Sequence, residues 1–168
     1  GGNGSDFYRI TSGDVIIEQA GSGTKDRVLG LNMSFDLGTF AGGFIEQAVV
    51  DGLLNVKLTG NAAANALWGN QGANTLNGKL GLDYLVGGIG KDKFVFDTKL
   101  STRNVDRIVD FEKGDRICLD NAIFSKLGAA GALKADFFRP HRADDRNDYI
   151  HYDKATRALF YDADGNGT

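Results

Sequence analysis

The sequence predicts an all-β chain: a parallel β-roll, or β-helix, followed by a C-terminal antiparallel capping region. Three observations carry this. Residues 60 to 95 align with themselves in nines, as GNAAANALW, GNQGANTLN, GKLGLDYLV and GGIGKDKFV. The first nine residues, GGNGSDFYR, repeat the pattern once more. Beyond residue 95 glycine thins out and charge rises, as a block that closes the end of a coil requires.

Within the repeats each position has a physical task. The first is always glycine (Gly60, Gly69, Gly78, Gly87), and the fourth is glycine in three units (Gly72, Gly81, Gly90), with Ala63 in the remaining one. Such a half-unit turns through backbone conformations that a Cβ disfavours. The eighth position is large and apolar (Leu67, Leu76, Leu85, Phe94) and sits in a very short strand that aims it inward and its neighbours outward. Two units close one coil, so units n and n+2 stack with strands about 4.8 Å apart. The sixth position is Asn65, Asn74, Asp83 or Asp92, and stacking puts Asn65 over Asp83 and Asn74 over Asp92. Carboxylates and turn carbonyls then converge between layers. That suits Ca²⁺, a hard cation with six to eight oxygen ligands. Without metal, stacked carboxylates repel and the glycines favour the open chain.

Residues 1 to 59 read as strands without helical period. Asp14 to Glu18 is a short strand, and Ala20 to Asp26 a glycine-rich half-turn ending in a carboxylate. A small bulge would let Asp6 and Asp26 share a site. Arg27 to Leu37 alternates, with Leu31, Met33, Phe35 and Leu37 on one face; Phe44 to Val50 and Leu53 to Leu58 are further strands. The segment either continues the coil with longer rungs or forms an independent antiparallel sheet. The roll is assigned to 1–98, degenerate over 29–59 and regular over 60–95, and the cap to 99–168. In the cap, Asp106 to Asp120 reads as two strands around a Gly114 turn, Asn121 to Leu127 as a short helical turn, and Gly131 to Phe138 as helix or loop. Asp144 to Asp148 is a solvated acidic loop. Tyr149 to Asp153 and Ala158 to Asp162 flank Lys154 to Arg157 as a hairpin.

Glycine, at 24 of 168 residues, is about twice its usual share, but the single proline argues against collagen-like or proline-rich disorder. The net charge of −3 gives no steering toward nucleic acid. With one cysteine, Cys118, no internal disulfide forms, and its alternating context makes it a core residue. No apolar run is long enough to span a membrane. The chain opens in mid-repeat without a Met or a signal peptide, which points to excision from a longer protein.

The nonapeptides, with Phe94-Val-Phe-Asp97, Asp106-Arg-Ile-Val-Asp-Phe…Gly-Asp-Arg-Ile-Cys-Leu and the closing Tyr149-Ile-His-Tyr-Asp…Leu-Phe-Tyr-Asp-Ala-Asp-Gly, give most of the chain a family likeness. It resembles the C-terminal calcium-binding RTX (hemolysin-type) region of bacterial proteins exported by type I secretion machinery, whose repeat is G-G-x-G-x-D-x-U-x. The resemblance implies a β-roll, bound Ca²⁺, a secreted location and export through a C-terminal signal. Such regions follow proteases, lipases, cytolysins, epimerases and adhesins, so an upstream domain of the same polypeptide is an expected partner. By the same likeness Asp83 and Asp92 are the first carboxylate ligands, then Asp6, then Asp26. Backbone carbonyls of Gly78, Leu80, Gly87 and Ile89 join them. Asn65 and Asn74 depart from the pattern. Each either contributes a ligand or simply bonds neighbouring backbone as a turn asparagine. Lys79, Lys91 and Lys93 add positive charge nearby. With one formal charge per stacked pair, two or three ions are expected in the repeats.

Other candidates are weaker. Asp162-Ala-Asp-Gly-Asn-Gly167 opens like an EF-hand loop but follows a strand, so a polar turn is the better reading. Asp106, Asp110 and Asp115 either add a site or face solvent. His141 and His151 read as surface residues ahead of a metal pair. Asn32-Met-Ser34 and Asn166-Gly-Thr168 fit a short glycosylation pattern. No His-Glu-x-x-His helix, nucleophile elbow or phosphate loop occurs, and no carboxylate pair stands out as a glycosidase couple. The expectation is therefore a non-catalytic module that folds on calcium after export and stabilises a larger secreted protein. The alternative is a calcium-dependent module that binds polysaccharide, an adhesin, or an accessory domain of a secreted hydrolase or epimerase, with Trp68 facing outward to stack on sugars.

Overall fold

A computed structural model describes residues 3–18, 23, 25–40, 44–139, 149–153 and 158–164. The chain forms two compact units, Gly1–Cys118 and Leu119–Thr168. In the first, the strands form two sheets and, after the first two, alternate between them. One contains β1 (Phe7–Arg9), β2 (Arg27–Leu31), β4 (Gln47–Asp51), β6 (Ala66–Trp68), β8 (Tyr84–Val86) and β10 (Arg107–Ile108), hydrogen-bonded in that order and parallel. The other contains β3 (Phe35–Asp36), β5 (Lys57–Thr59), β7 (Thr75–Asn77), β9 (Lys93–Phe96) and β11 (Arg116–Leu119), again neighbours in that order. This is the parallel coil the repeats predict, and it excludes an independent antiparallel sheet over 1 to 59.

The register is set by the inward positions. Tyr8, Val28, Ala48, Leu67, Leu85 and Ile108 face one another along the first sheet. Phe35, Leu58, Leu76 and Phe94 do so along the second. These side chains pack into one core, in which Leu58, Leu67, Leu76, Leu85 and Phe94 are fully buried. A slip by one residue would turn every one of them outward, so the core pins the pairing. The regular repeats give a rung of 18 residues, while the step from Asp83 to Asp106 takes 23.

Several boundaries differ from expectation. The predicted Asp14–Glu18 strand reduces to a single bridging residue, Ile17, flanked by buried Ile16 and Glu18. Arg27 to Leu37 is two strands, because the chain turns a corner at Asn32, whose φ is 52°, and Leu31 is left exposed. Beyond β3 a 3-10 turn follows at Leu37–Thr39, capped by Asp36. Leu53 and Leu54 are not in a strand: their N–H groups go to the Asn32 Oδ1 at 2.8 and 3.0 Å, and both side chains are exposed. The two strands around Gly114 do not pair with each other; β10 and β11 join opposite sheets. The coil thus continues past residue 98. Cys118, on β11, is half-buried.

In the second unit, 3-10 turns occupy Ser125–Leu127 and Ala135–Phe137. The expected hairpin is present: β13 (Ile150–Asp153) and β14 (Ala158–Tyr161) pair antiparallel, and β12 (Phe138–Arg139) adds to β13 in parallel. Phe124 is buried with its ring edge-on to Tyr161 at 5.1 Å. The acidic loop 144–148, the hairpin turn 154–157, His141, Asn166, residues 20–22 and 24 of the early half-turn, and the end of the EF-hand-like stretch lie outside the described residues. Asp164 donates its N–H to Asp162 Oδ1 at 3.2 Å, an Asx turn.

Truncating the fully buried Leu76 to Ala removes apolar contact and leaves a cavity, at a cost of about 2–5 kcal/mol. Chemical denaturation should therefore show a clear fall in midpoint with the slope unchanged.

Candidate metal centre

The sixth-position side chains do more than line up. Each carboxylate reaches back one coil to accept the backbone N–H of its predecessor. Asp26 Oδ1 accepts from Asp6 at 2.7 Å, Glu46 Oε2 from Asp26 at 2.9 Å, Asp83 Oδ1 from Asn65 at 2.7 Å and Asp106 Oδ1 from Asp83 at 3.2 Å. On the other side, Asn74 Oδ1 accepts from Val56 at 3.3 Å, Asp92 Oδ1 from Asn74 at 2.7 Å and Asp115 Oδ1 from Asp92 at 2.9 Å. Two polar columns thus run along the coil, one beside each sheet.

Only one oxygen of each key aspartate is used. The Oδ2 atoms of Asp26, Asp83 and Asp92 are buried and have no hydrogen-bond partner, in residues only 0, 2 and 1% exposed. An unsatisfied buried carboxylate oxygen is costly. The glycines explain how it fits. A Cβ on Gly78 would lie 2.2 Å from Asp83 Oδ2, and one on Gly87 would lie 2.5 Å from Asp92 Oδ2. The carbonyls of Gly78 and Gly87 press in turn against Gly60 and Gly69 of the preceding coil, where a Cβ would meet them at 2.2 and 2.3 Å. Gly81 and Gly90, with φ of 133° and 149°, make the fourth-position turn that brings them against the carbonyls of Ala63 and Gly72. The site is therefore a glycine turn against which one free carboxylate oxygen packs, with carbonyl oxygens at the glycines of the neighbouring coil. That donor set is all oxygen and suits a hard cation.

The remaining predicted ligands fall as follows. Asp6 and Asp26 stack across 20 residues, as a shared site requires. Asn65 bonds its own turn, accepting from Asn61 N at 2.8 Å and donating to Ile45 O at 3.3 Å. Asn74 donates to the carbonyls of Gly72 and Gly87 at 2.7 and 3.1 Å. Both fit the turn-asparagine reading. Leu80 and Ile89 expose their side chains and donate their N–H groups to Asn61 and Asn70 carbonyls one coil back. Lys79 is engaged by Asp97 at 2.8 Å, and Lys91 and Lys93 are exposed. Asp110 accepts from Gly87 and Gly88, and Asp115 from Asp92 and Glu112, so these acids end the columns as hydrogen-bond acceptors. Sequence reasoning missed Glu46 and Glu18. Glu46 sits 20 residues after Asp26, the same step that separates Asp26 from Asp6, and that interval was its signal. At the first coil Asp6, Glu18 and Asp26 each bring one oxygen within 4.8 Å of the others.

Burial pushes the Asp83 carboxyl up to about 7, with repulsion from Asp106 adding to it and the Asn65 N–H opposing. Asp92 is raised by burial and then by Asp115 and Asp110, and Asp106 and Glu46 by burial first. Burial also opposes ionisation of Asp97, but the Lys79 partner holds it low. Among the described residues no helix is long and apolar enough to cross a membrane. Compared with known proteins, the chain matches no family model and no curated sequence.

An acid whose folded pKa lies above its unfolded value binds its proton more tightly in the fold. Stability from Asp83 is full below its ordinary 3.8 and is lost as pH rises through about 7. Calorimetry in chelator should show Tm falling between about pH 4 and 7 and levelling off above. Asp83→Asn should flatten that fall.

Proposed function

We propose that the chain is a non-catalytic, calcium-binding RTX-type module that folds after export by a type I system and stabilises a larger secreted protein. One observation carries the reading. Asp26, Asp83 and Asp92 each hold a buried oxygen without a partner, and for Asp83 and Asp92 it packs against the first glycine of the same repeat. Bound calcium would satisfy those oxygens together with the carbonyls around them. In a cytosol poor in free calcium these unpaired buried oxygens oppose closure of the coil, and burial raises the pKa of Asp83 and Asp92. Extracellular modules bind calcium at about 10⁻⁴–10⁻³ M. Each site at tenfold its Kd adds roughly 1.4 kcal/mol to the folded state, so two or three sites decide whether a marginal coil closes. Circular dichroism should show loss of β signal and a lower Tm when chelator replaces millimolar calcium. An identical spectrum and Tm in both would defeat the reading.

A second reading, binding of polysaccharide, has its own support. Trp68 and Tyr84 lie side by side on the outer face of the first sheet, ring centroids 6.4 Å apart. The Arg27 guanidinium sits 5.5 Å over Trp68, and Arg107 sits 5.9 Å over Tyr84. Two neighbouring rings tilted by 54°, each with a guanidinium group over it, offer apolar faces and positive charge together, which suits an anionic sugar chain. A glycan array should then register binding that Trp68→Ala abolishes while the melting curve stays in place.

A further inference from the structure

We propose that Asp6, Glu18 and Asp26 form a calcium site of their own at the first coil, tighter than the Asn65–Asp83 and Asn74–Asp92 layers of the repeats. The inference rests on the calcium reading above and names the place where binding starts. The three oxygens lie within 4.8 Å of one another. That is close to the span of two calcium–oxygen bonds of about 2.3–2.6 Å, so one ion bridges a pair of them and a small inward shift of the third brings it into the same shell. Among the described residues it is the one place where three such groups come so close.

Burial separates this cluster from an ordinary acidic patch. Glu18 and Asp26 are only 4% and 0% exposed, so water does not solvate their charge. Asp26 Oδ1 is taken by the Asp6 N–H, while its Oδ2 is buried without a hydrogen bond. The Tyr8 hydroxyl donates to Glu18 Oε2 and fixes the side chain inside the coil. Glu46 approaches from the next coil to hold the Asp26 N–H, and its carboxyl is pushed up by burial and then by the charges of Asp26 and Glu18.

Glu18 belongs to no repeat. It reaches the cluster because the chain bridges at Ile17 and alternation turns Ile16 and Glu18 inward. Each of the two repeat layers holds a single carboxylate beside an asparagine amide. Affinity for calcium rises with the number of charged ligands and the rigidity of the site. The first coil, which lacks regular repeats, therefore fills first, and the repeats follow at higher calcium.

Isothermal titration of the metal-stripped 168-residue chain with calcium tests this. The wild type should show one tight step resolved from weaker ones. Glu18→Gln, which keeps the side-chain volume and a partner for Tyr8, should weaken the tight step by on the order of tenfold or more and spare the others. A tight step unchanged in Glu18→Gln, or one weak class alone in the wild type, overturns the proposal and leaves the repeat sites standing. A wild type that binds no calcium removes both. Terbium gives a second readout should Glu18→Gln fail to fold. The first equivalent should luminesce through tyrosine, and Tyr8→Phe should quench it; emission that survives Tyr8→Phe overturns the site.

Discussion

One bond recurs from coil to coil, and the structure depends on it: a carboxylate reaches back to the N–H of its counterpart one turn earlier. Strands of three residues offer little ladder to hold a register. The reach-back bonds, at Asp26, Glu46, Asp83, Asp106, Asp92 and Asp115, supply a side-chain fastener at the same point of each rung. Charge-assisted bonds of this type are about twice as strong as neutral ones. They demand a carboxylate inside the wall of the coil, and that demand creates the site. One oxygen fastens the backbone, and the other is carried into the interior with nothing to bond.

Glycine is the counterpart of this arrangement. Where Asp83 Oδ2 and Asp92 Oδ2 come to rest, Gly78 and Gly87 have no Cβ to obstruct them. At Ala63 the pattern breaks, and Asn61 takes over the turn by accepting the Ala63 N–H at 2.8 Å. The fourth-position glycine is needed at Gly81 and Gly90, whose φ values are positive, and not at Ala63. Lys79 adopts a φ of 72° where the pattern has glycine, and it is anchored by its ion pair with Asp97. The strictness of the repeat thus follows the placement of the free oxygens and not the turn alone.

The regular repeats were legible because an 18-residue rung projects each sixth position onto its neighbour without further information. Asn65 over Asp83 and Asn74 over Asp92 follow from counting. Glu46 and Asp106 occupy the same column, but their rungs are 20 and 23 residues long, so a fixed period passes over them. Glu18 was illegible for a different reason: it comes from the connection between rungs, where only alternation around Ile17 turns it inward. The strand expected at Leu53 to Leu58 begins only at Lys57, because Asn32, from the coil before, captures the Leu53 and Leu54 N–H groups. A side chain acting across 21 residues leaves no mark on the local hydrophobic pattern that suggested a strand.

Asparagine at 65 and 74 now acquires a physical reason. An amide keeps the acceptor that a turn needs and replaces the second, unpaired oxygen by a donor. In Asn74 that donor bonds the carbonyls of Gly72 and Gly87, the type of oxygen that would otherwise surround a cation. Asn65 likewise spends its amide on Ile45 O and Asn61 Oδ1. An NH₂ group thus stands in part of the place of an ion, at no cost in charge. One amide set among the acids of each column lowers the repulsion that closing the coil must overcome. It also leaves Asp83 and Asp92 as the points where closure stays conditional. A column of acids alone would need an ion at every layer, and a column of amides alone would need none. A column with one amide among its acids lies between these limits.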